Sequence, residues 1–294
     1  MEIIGKVLGM NTSDGMINIA VGDKEKQIFN IKCSYEQSEN IKIGRIYKFD
    51  VEQIFGERIS YQFKEVWDVE TLNYLESDKI LRGFLNSAPL SLEDLKTFVW
   101  KYVDSIENEV IHEITKELVL EYEEKFFIYP AASKMHHSYV GGLAYHSIGM
   151  LKMADAFIEN YSYLNKDYLY AGIILHDIGK IIELTGPQNT EYTLDGQLLG
   201  HLVIGAMEIA NVAEKLGYAK KKEVLILEHL LVSHHGQPLF GAAKKPATPE
   251  ALVLWYIDTI DSKFRVLGEE LAKTESGTYT DHIGVLDKAK IYKV

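Results

Sequence analysis

The chain has 294 residues, of which 47% are hydrophobic and 25% charged, and its formal net charge is −12. These values are ordinary for a globular protein long enough for two domains, and the excess of acid excludes a protein that coats DNA through positive charge. Cys33 is the only cysteine, which excludes an intramolecular disulfide and favours a reducing compartment. Since no stretch approaches the ~20 apolar residues of a membrane span and the first residues lack a signal-peptide pattern, we expect a cytoplasmic protein with no membrane partner.

Residues 1–67 alternate apolar and polar side chains, as β-strands do. Tyr47, Phe49 and Val51, for example, are separated by charged residues, and glycines punctuate the segment as turns would. About five short strands in so short a segment predict a small closed barrel, and the OB-fold is the common barrel of this size that binds single strands. Candidates for a base-stacking face, each of which is more often a core residue, are Phe29, Tyr35, Tyr47, Phe55 and Tyr61.

After Trp67 the apolar period becomes that of helices. Residues 68–128 are interpreted as a connecting helical arm, in which Ser91 and Asp94 resemble a capping box. Residues 129–294 are predicted to form an all-helical domain. Its predicted helices cover about 142–161, 167–183, 195–216, 222–234 and 248–273.

The segment 168–180 is predicted to end a buried helix in a turn that carries His176, Asp177 and Lys180. Spacings of three and four place these side chains along one edge of a helix. An imidazole beside a carboxylate suits a divalent cation, and a lysine one turn later would meet a phosphate that bridges to that cation. By itself, however, a His-Asp pair near a helix end is more often fortuitous.

Other polar residues inside apolar helices overturn that view. One histidine in one such helix is usually a satisfied core residue. Here five successive helices each supply a residue of ligand type, and burying so many ionisable groups without partners would be very costly, so a pair of cations is indicated. These residues are His146 in the first helix, His176 and Asp177 in the second, His201 in the third, His234 and His235 in the fourth, and Asp258 in the fifth.

The order H…HD…H…HH…D, with the segments HDIGK, YTLDGQLLGH, VSHHG and YIDTIDSKF, resembles the HD-domain superfamily of metal-dependent phosphohydrolases. The N-terminal strands make the chain more similar still to the YhaM-type 3′→5′ exoribonucleases, which couple an OB-fold to an HD domain. The resemblance covers most of the chain from about Phe126 onward. It implies a multi-domain α and β protein, with a small N-terminal β-barrel (1–67), the arm (68–128) and an all-α HD domain (129–294).

The same resemblance implies an enzyme that hydrolyses single-stranded RNA, with single-stranded DNA as a second substrate class, to nucleoside 5′-monophosphates. It does not decide whether the protein forms a homo-oligomer. Two alternatives remain: a small-molecule HD phosphohydrolase acting on a nucleotide or cyclic dinucleotide, and a non-catalytic nucleic-acid-binding factor. The barrel argues against the first alternative, because a mononucleotide hydrolase does not need a single-strand platform. The complete ligand set argues against the second.

Two divalent ions are also implied, and a nitrogen-rich shell favours Mn²⁺, with Co²⁺ or Fe²⁺ as alternatives. Asp177 would bridge both ions, which at about 4 Å apart can share a hydroxide of lowered pKa. Lys180 would neutralise charge on the phosphate, and Asp261 is a rival ligand of lower rank. The implied ligands are His146, His176, Asp177 and Asp258 for the first ion, and Asp177, His201 and His234 for the second.

Substrate contacts are predicted for a further group of residues near the mouth of the site. The loop QPLFGAAKKP, 237–246, lacks the acid and the Ser-Pro expected from the resemblance. This difference leaves undecided how the protein binds its substrate, but it does not affect the predicted metal chemistry. The predicted substrate-binding residues are His136, His137, His235 and Lys244.

Overall fold

The protein consists of two compact units. The computed structural model describes residues 1–13, 15–55, 59–132 and 138–294. By contacts, the first unit is Met1–Ser87 with Thr185–Glu191, and the second is Ala88–Leu184 with Tyr192–Val294. The finer division into barrel, arm and HD domain stays a prediction.

A β-barrel forms most of the first unit. Its strands are β1 (Glu2–Ser13), β2 (Met16–Gly22), β3 (Ile28–Cys33), β4 (Ile46–Ile54) and β5 (Ser60–Asp68). They close in the order β1-β2-β3-β5-β4, with β3 parallel to β5 and all other neighbours antiparallel. Alternation sends every second side chain inward, so Ile19, Phe49 and Val51 are fully buried. The predicted small closed barrel is confirmed.

Closure of the barrel sorts its aromatic side chains. Tyr47 and Tyr61 are buried, and Phe29 packs partly buried against the same core. Tyr35, at the start of the short helix α1 (Tyr35–Ser38), is 79% exposed, and Phe55, just after β4, is 82% exposed. Tyr35 and Phe55 are therefore the aromatics from the predicted set that are free to stack on bases.

The first unit is completed by helix α2 (Tyr74–Phe84) and by the loop Thr185–Glu191. Gln188 in this loop is buried, and its Oε1 accepts a hydrogen bond of 2.5 Å from the main-chain N–H of Ile46. The Nε2 of Gln188 donates to Asp68 Oδ1 at 3.1 Å. A side-chain amide that satisfies both barrel partners fixes the loop in the unit.

Helices make up most of the second unit. They are α3 (Leu92–Val103), α4 (Glu109–Glu121), α5 (Glu123–Phe126), α6 (Gly142–Asn160), α7 (Lys166–Leu175), α8 (Lys180–Glu183), α9 (Leu194–Lys215), α10 (Lys222–Ser233) and α11 (Pro249–Lys273). Helix α7 is the central one and lies against α4, α6, α10 and α11. Its Leu169, Ile173 and Leu175 are fully buried, as an apolar helix packed on several sides requires.

Helix starts follow the sequence. The Ser91 hydroxyl accepts from the N–H of Asp94 at 3.1 Å, and the Thr248 hydroxyl accepts from Ala251 ahead of α11. The helix predicted over 167–183 is divided in the structure, because α7 ends at Leu175 and a turn over 176–179 precedes α8. Within the described part of the chain, no helix combines the length and the apolarity that crossing a bilayer requires.

Candidate metal centre

Five helices bring the predicted ligands to one place in the second unit. His146 lies on α6, His176 and Asp177 in the turn after α7, and His201 on α9. His234 follows α10 directly, and Asp258 lies on α11. All are buried except Asp258, which is partly buried. The apolar helices thus carry their ionisable residues into the interior of the bundle.

Asp177 lies at the middle of the cluster. Its Oδ2 is 3.2 Å from His176 Nε2, and its Oδ1 is 3.4 Å from His201 Nε2 and 3.8 Å from His234 Nε2. Lys180 Nζ donates to Oδ2 at 2.7 Å. The two carboxylate oxygens therefore face different histidines, as a carboxylate that spans two ions would.

Beside it, Asp258 Oδ1 lies 3.2 Å from the Nε2 of His146. The His146 and His176 rings are 5.2 Å apart between centroids, so Asp258 belongs to the same side of the cluster as His176. Ligand atoms of His146, His176 and Asp177 all lie within 4.8 Å of one another, and so do those of His201, His234 and His235.

The Nδ1 atoms of two of the histidines are hydrogen-bonded to main-chain carbonyl oxygens. His176 Nδ1 donates to Ile173 O, and His234 Nδ1 donates to Leu231 O, each at 2.7 Å. A carbonyl oxygen only accepts, so the neutral form of each ring carries its proton on Nδ1 and presents the Nε2 lone pair. Metal-ligating histidines show this arrangement almost always.

Carboxylates take the same role behind the other two rings. His146 Nδ1 lies 2.8 Å from Asp261 Oδ2, and His201 Nδ1 lies 3.0 Å from Glu183. Asp261, predicted as a rival ligand, thus sits on the far side of His146 from Asp258. Glu183 was not singled out from the sequence, since an acid at the end of an apolar helix carries no motif of its own.

Four buried atoms of the cluster have no hydrogen-bond partner among the described residues: His176 Nε2, Asp177 Oδ1, His201 Nε2 and His234 Nε2. Buried polar atoms are almost always hydrogen-bonded, so a convergent orphaned set needs an explanation. A divalent cation supplies one, because imidazole nitrogen and carboxylate oxygen are ligand types for first-row transition metals. The residues present fit such an ion.

Charge in the cluster is balanced around Asp177. Burial would raise the pKa of Asp177, but His176 and Lys180 outweigh burial and hold that pKa well below its usual range. Burial would likewise lower the pKa of Lys180, and the Asp177 carboxylate raises it instead. Burial, with neighbouring His176 and His235, keeps the pKa of His234 well below its usual value. Near neutral pH the carboxylate and the lysine are therefore charged, and His234 is in its ligating form.

A cavity of about 220 Å³ opens beside these atoms and is lined by Asp177, Lys180, His235, Asp258 and Ser262, among others. His235 Nδ1 donates to Phe240 O at 2.8 Å, so the neutral ring offers Nε2 as an acceptor. Lys244 is exposed on the loop between α10 and α11 and is not among the residues that line the cavity. His136 and His137 lie outside the described residues.

Gly179 sets the spacing between the turn and α9. A Cβ at this position would lie 2.2 Å from the carbonyl oxygen of His201 and 2.8 Å from the nitrogen of Gly205. Only glycine permits so close an approach of two backbones. This packing brings His201 within reach of Asp177.

The fold and site define the class of protein: an HD-domain metal-dependent phosphohydrolase that also carries an OB-like barrel. The HD domain family matches residues 143–263. The chain is 37% identical over 274 residues to the 3′-5′ exoribonuclease YhaM of Geobacillus sp. (strain WCH70), covering 92% of this chain and 82% of that one. It is 44% identical over 210 residues to the protein of the same name from Bacillus licheniformis, covering 71% and 67%. The chain belongs to the family of YhaM-type 3′-5′ exoribonucleases, as the motifs predicted, and the HD domain makes it a divalent-metal-dependent enzyme.

Proposed function

We propose that this chain hydrolyses single-stranded RNA from the 3′ end to nucleoside 5′-monophosphates, using two divalent ions held in the buried centre. The observation that carries the proposal is the convergence of three orphaned histidine nitrogens on Asp177, whose Oδ1 is itself orphaned, beside Lys180 and an open cavity. The relatives named 3′-5′ exoribonuclease supply the direction of hydrolysis and the substrate class.

Each ion would have its own histidines, and the two ions would share Asp177. His146, His176, Asp177 and Asp258 would hold the first, and Asp177, His201 and His234 the second. The division is supported by the two oxygens of Asp177, one near His176 and the other near His201 and His234. When bound, the two ions supply positive charge at the phosphodiester and lower the pKa of water beside it.

The chain's own residues orient the substrate. Lys180 stays protonated and directs its charge at the non-bridging phosphate oxygens, where negative charge grows during hydrolysis. His235 has a pKa lowered by burial and by His201, so it is neutral at pH 7. Because the Nδ1–H of His235 is donated to Phe240 O, its Nε2 accepts a hydrogen bond from a ribose hydroxyl. If that hydroxyl is the 2′-hydroxyl, this contact distinguishes RNA from DNA.

Mn²⁺ is the ion we propose, with Co²⁺ or Fe²⁺ as substitutes. Four histidines and two aspartates form a shell richer in nitrogen than the oxygen sites that Mg²⁺ prefers. In the barrel, exposed Tyr35 and Phe55 provide stacking surfaces for successive bases, which would serve RNA first and single-stranded DNA second.

The test begins with protein stripped by a chelator and given back one metal at a time. RNA labelled at its 5′ end should shorten progressively, and the released product should be nucleoside 5′-monophosphate. Mononucleotides and cyclic dinucleotides are assayed beside it. Hydrolysis of those small molecules with intact RNA left untouched would contradict the proposal, as would internal cleavage of the labelled strand.

A further inference from the structure

Two kinds of acceptor hold the four metal-facing histidines. Main-chain carbonyls three residues earlier hold His176 and His234, while carboxylates hold His146 and His201. Each proposed centre therefore contains one ring on a carbonyl and one ring on a carboxylate. This regular pairing distinguishes the two carboxylates from the other buried acids of the unit.

We propose that Glu183 and Asp261 are positioning residues, each of which sets the affinity of a different ion. Glu183 acts through His201 on the ion at His201 and His234. Asp261 acts through His146 on the ion at His146 and His176. The inference rests on the proposed two-ion function and concerns how the chain tunes its centres separately.

Glu183 is hydrogen-bonded to both the ring and the main chain of His201. Its carboxylate oxygens each lie 3.0 Å from His201 Nδ1, and Oε1 also accepts the main-chain N–H of His201 at 3.0 Å. Both the ring and the backbone of this ligand are thus fixed by one side chain.

A break in α9 makes both sets of hydrogen bonds possible. Gly200 has φ 72° and ψ 156°, a non-helical conformation inside the helix that side-chain-bearing residues rarely adopt. The break lies directly before His201, whose N–H then meets Glu183. Unusual backbone of this kind costs stability and persists where it serves a site.

Asp261 has the corresponding place behind His146. It lies on α11 one turn after Asp258, and its Oδ2 is 2.8 Å from His146 Nδ1 while Oδ1 is 3.5 Å from Arg265 Nε. On the other edge of the ring, Nε2 is 3.2 Å from Asp258 Oδ1. The imidazole is clamped between an aspartate on the metal side and an aspartate behind.

A carboxylate behind a histidine ligand fixes the tautomer and the ring orientation and raises the basicity of the ligating nitrogen. Removing such a partner typically weakens metal binding about 10–100-fold. Glu183→Gln and Asp261→Asn keep the side-chain size and remove the charge. Glu250→Gln is the matched control, because Glu250 is equally buried but accepts from the main-chain N–H of Asn165.

The experiment is a calorimetric titration of the metal-stripped, full-length protein with Mn²⁺, without RNA, repeated with Co²⁺ to record its absorption spectrum. Wild type should show two binding steps. Glu183→Gln should weaken one step by about 10–100-fold, Asp261→Asn the other, and Glu250→Gln neither. Glu183→Asp, which keeps the charge but shortens the reach, should give an intermediate loss and a shifted Co²⁺ spectrum.

A double-mutant comparison separates positioning from a structural role. In a His201→Ala background, Glu183→Gln should cause no further loss of affinity, whereas in a His146→Ala background it should cause its full loss. Equal effects in both backgrounds, unchanged binding by Glu183→Gln, or one binding step in wild type would overturn the inference. Because RNA is absent, intact binding steps in a protein that fails to degrade RNA would count against the proposed function alone.

Discussion

Replacing Gly179 by alanine should push His201 away from Asp177. The new Cβ would lie 2.2 Å from His201 O and 2.8 Å from Gly205 N, whereas ordinary contact begins at 3.4 Å. Helix α9 would have to retreat by about 1.2 Å, the shortfall of the closer contact. Both opposing atoms belong to the main chain, so neither can rotate out of the way.

The retreat should cost activity more than stability. Forcing a methyl group into a packed interior destabilises by about 1–3 kcal/mol, which a domain of this size tolerates at 25 °C. A misplacement of about 1 Å at a catalytic site can cost about 100-fold in rate. The separation of His201 Nε2 from Asp177 Oδ1, 3.4 Å in the wild type, should lengthen with α9 and weaken the site proposed for the second ion.

Gly268→Ala is the matched control. Gly268 lies in α11, and a Cβ there meets nothing within 4 Å, so alanine should leave activity unchanged and stabilise by about 0.5–1 kcal/mol. Hydrolysis of labelled RNA, thermal unfolding and metal titration are measured for both variants. A Gly179→Ala enzyme with wild-type rate and wild-type metal affinity would show that the approach of the turn to α9 does not hold the site together.

Three further predictions follow from the site and the barrel. Asp177→Ala should give a folded protein with almost no hydrolysis under any metal, as circular dichroism and the RNA assay would show; near-normal turnover would refute the bridging role. Tyr35→Ala and Phe55→Ala should each weaken binding of long single strands by about 1–3 kcal/mol, with little effect on hydrolysis of very short oligonucleotides, whereas Tyr163→Ala, an exposed tyrosine of the helical unit, should not. Burial lowers the pKa of His146, but Asp258 and Asp261 raise it to about 9, so an entering ion must displace a proton and its affinity should fall about tenfold per pH unit below about 9. In metal-free protein, the protonated His146 should stabilise the fold fully below pH 6.5, the ordinary histidine pKa, and this stabilisation should be lost as pH rises through about 9. Proton release on metal binding is measured by calorimetry in buffers of different ionisation enthalpy, and finding no release would contradict this assignment.

Local sequence pattern is sufficient for the fold class and for a set of candidate ligands. Alternating side chains in residues 1–67 specify strands because their period of two matches a pleated sheet, and the apolar helices that follow must be buried. Ionisable residues inside such helices need partners, so the sequence alone predicts His176 and Asp177 as candidate ligands.

Long-range packing determined the rest. Spacing places Asp258 and Asp261 one turn apart on α11, but only the packing of α6 against α11 puts one at Nε2 of His146 and the other at Nδ1. Glu183 meets His201 across 18 residues through a backbone break at Gly200, and no local pattern encodes that meeting.

The barrel shows the same division. Tyr47 and Phe55 are both aromatic residues of the β4 region. The alternation of apolar and polar residues does not show where the strand ends, so it does not decide whether Phe55 faces the core. Tyr47 pairs with β1 and β5 inside the closed sheet and is buried in the barrel core, while Phe55 lies beyond the end of β4 and stays in solvent. Which face is inside is a property of the closed sheet, because burial depends on neighbours that are distant in sequence.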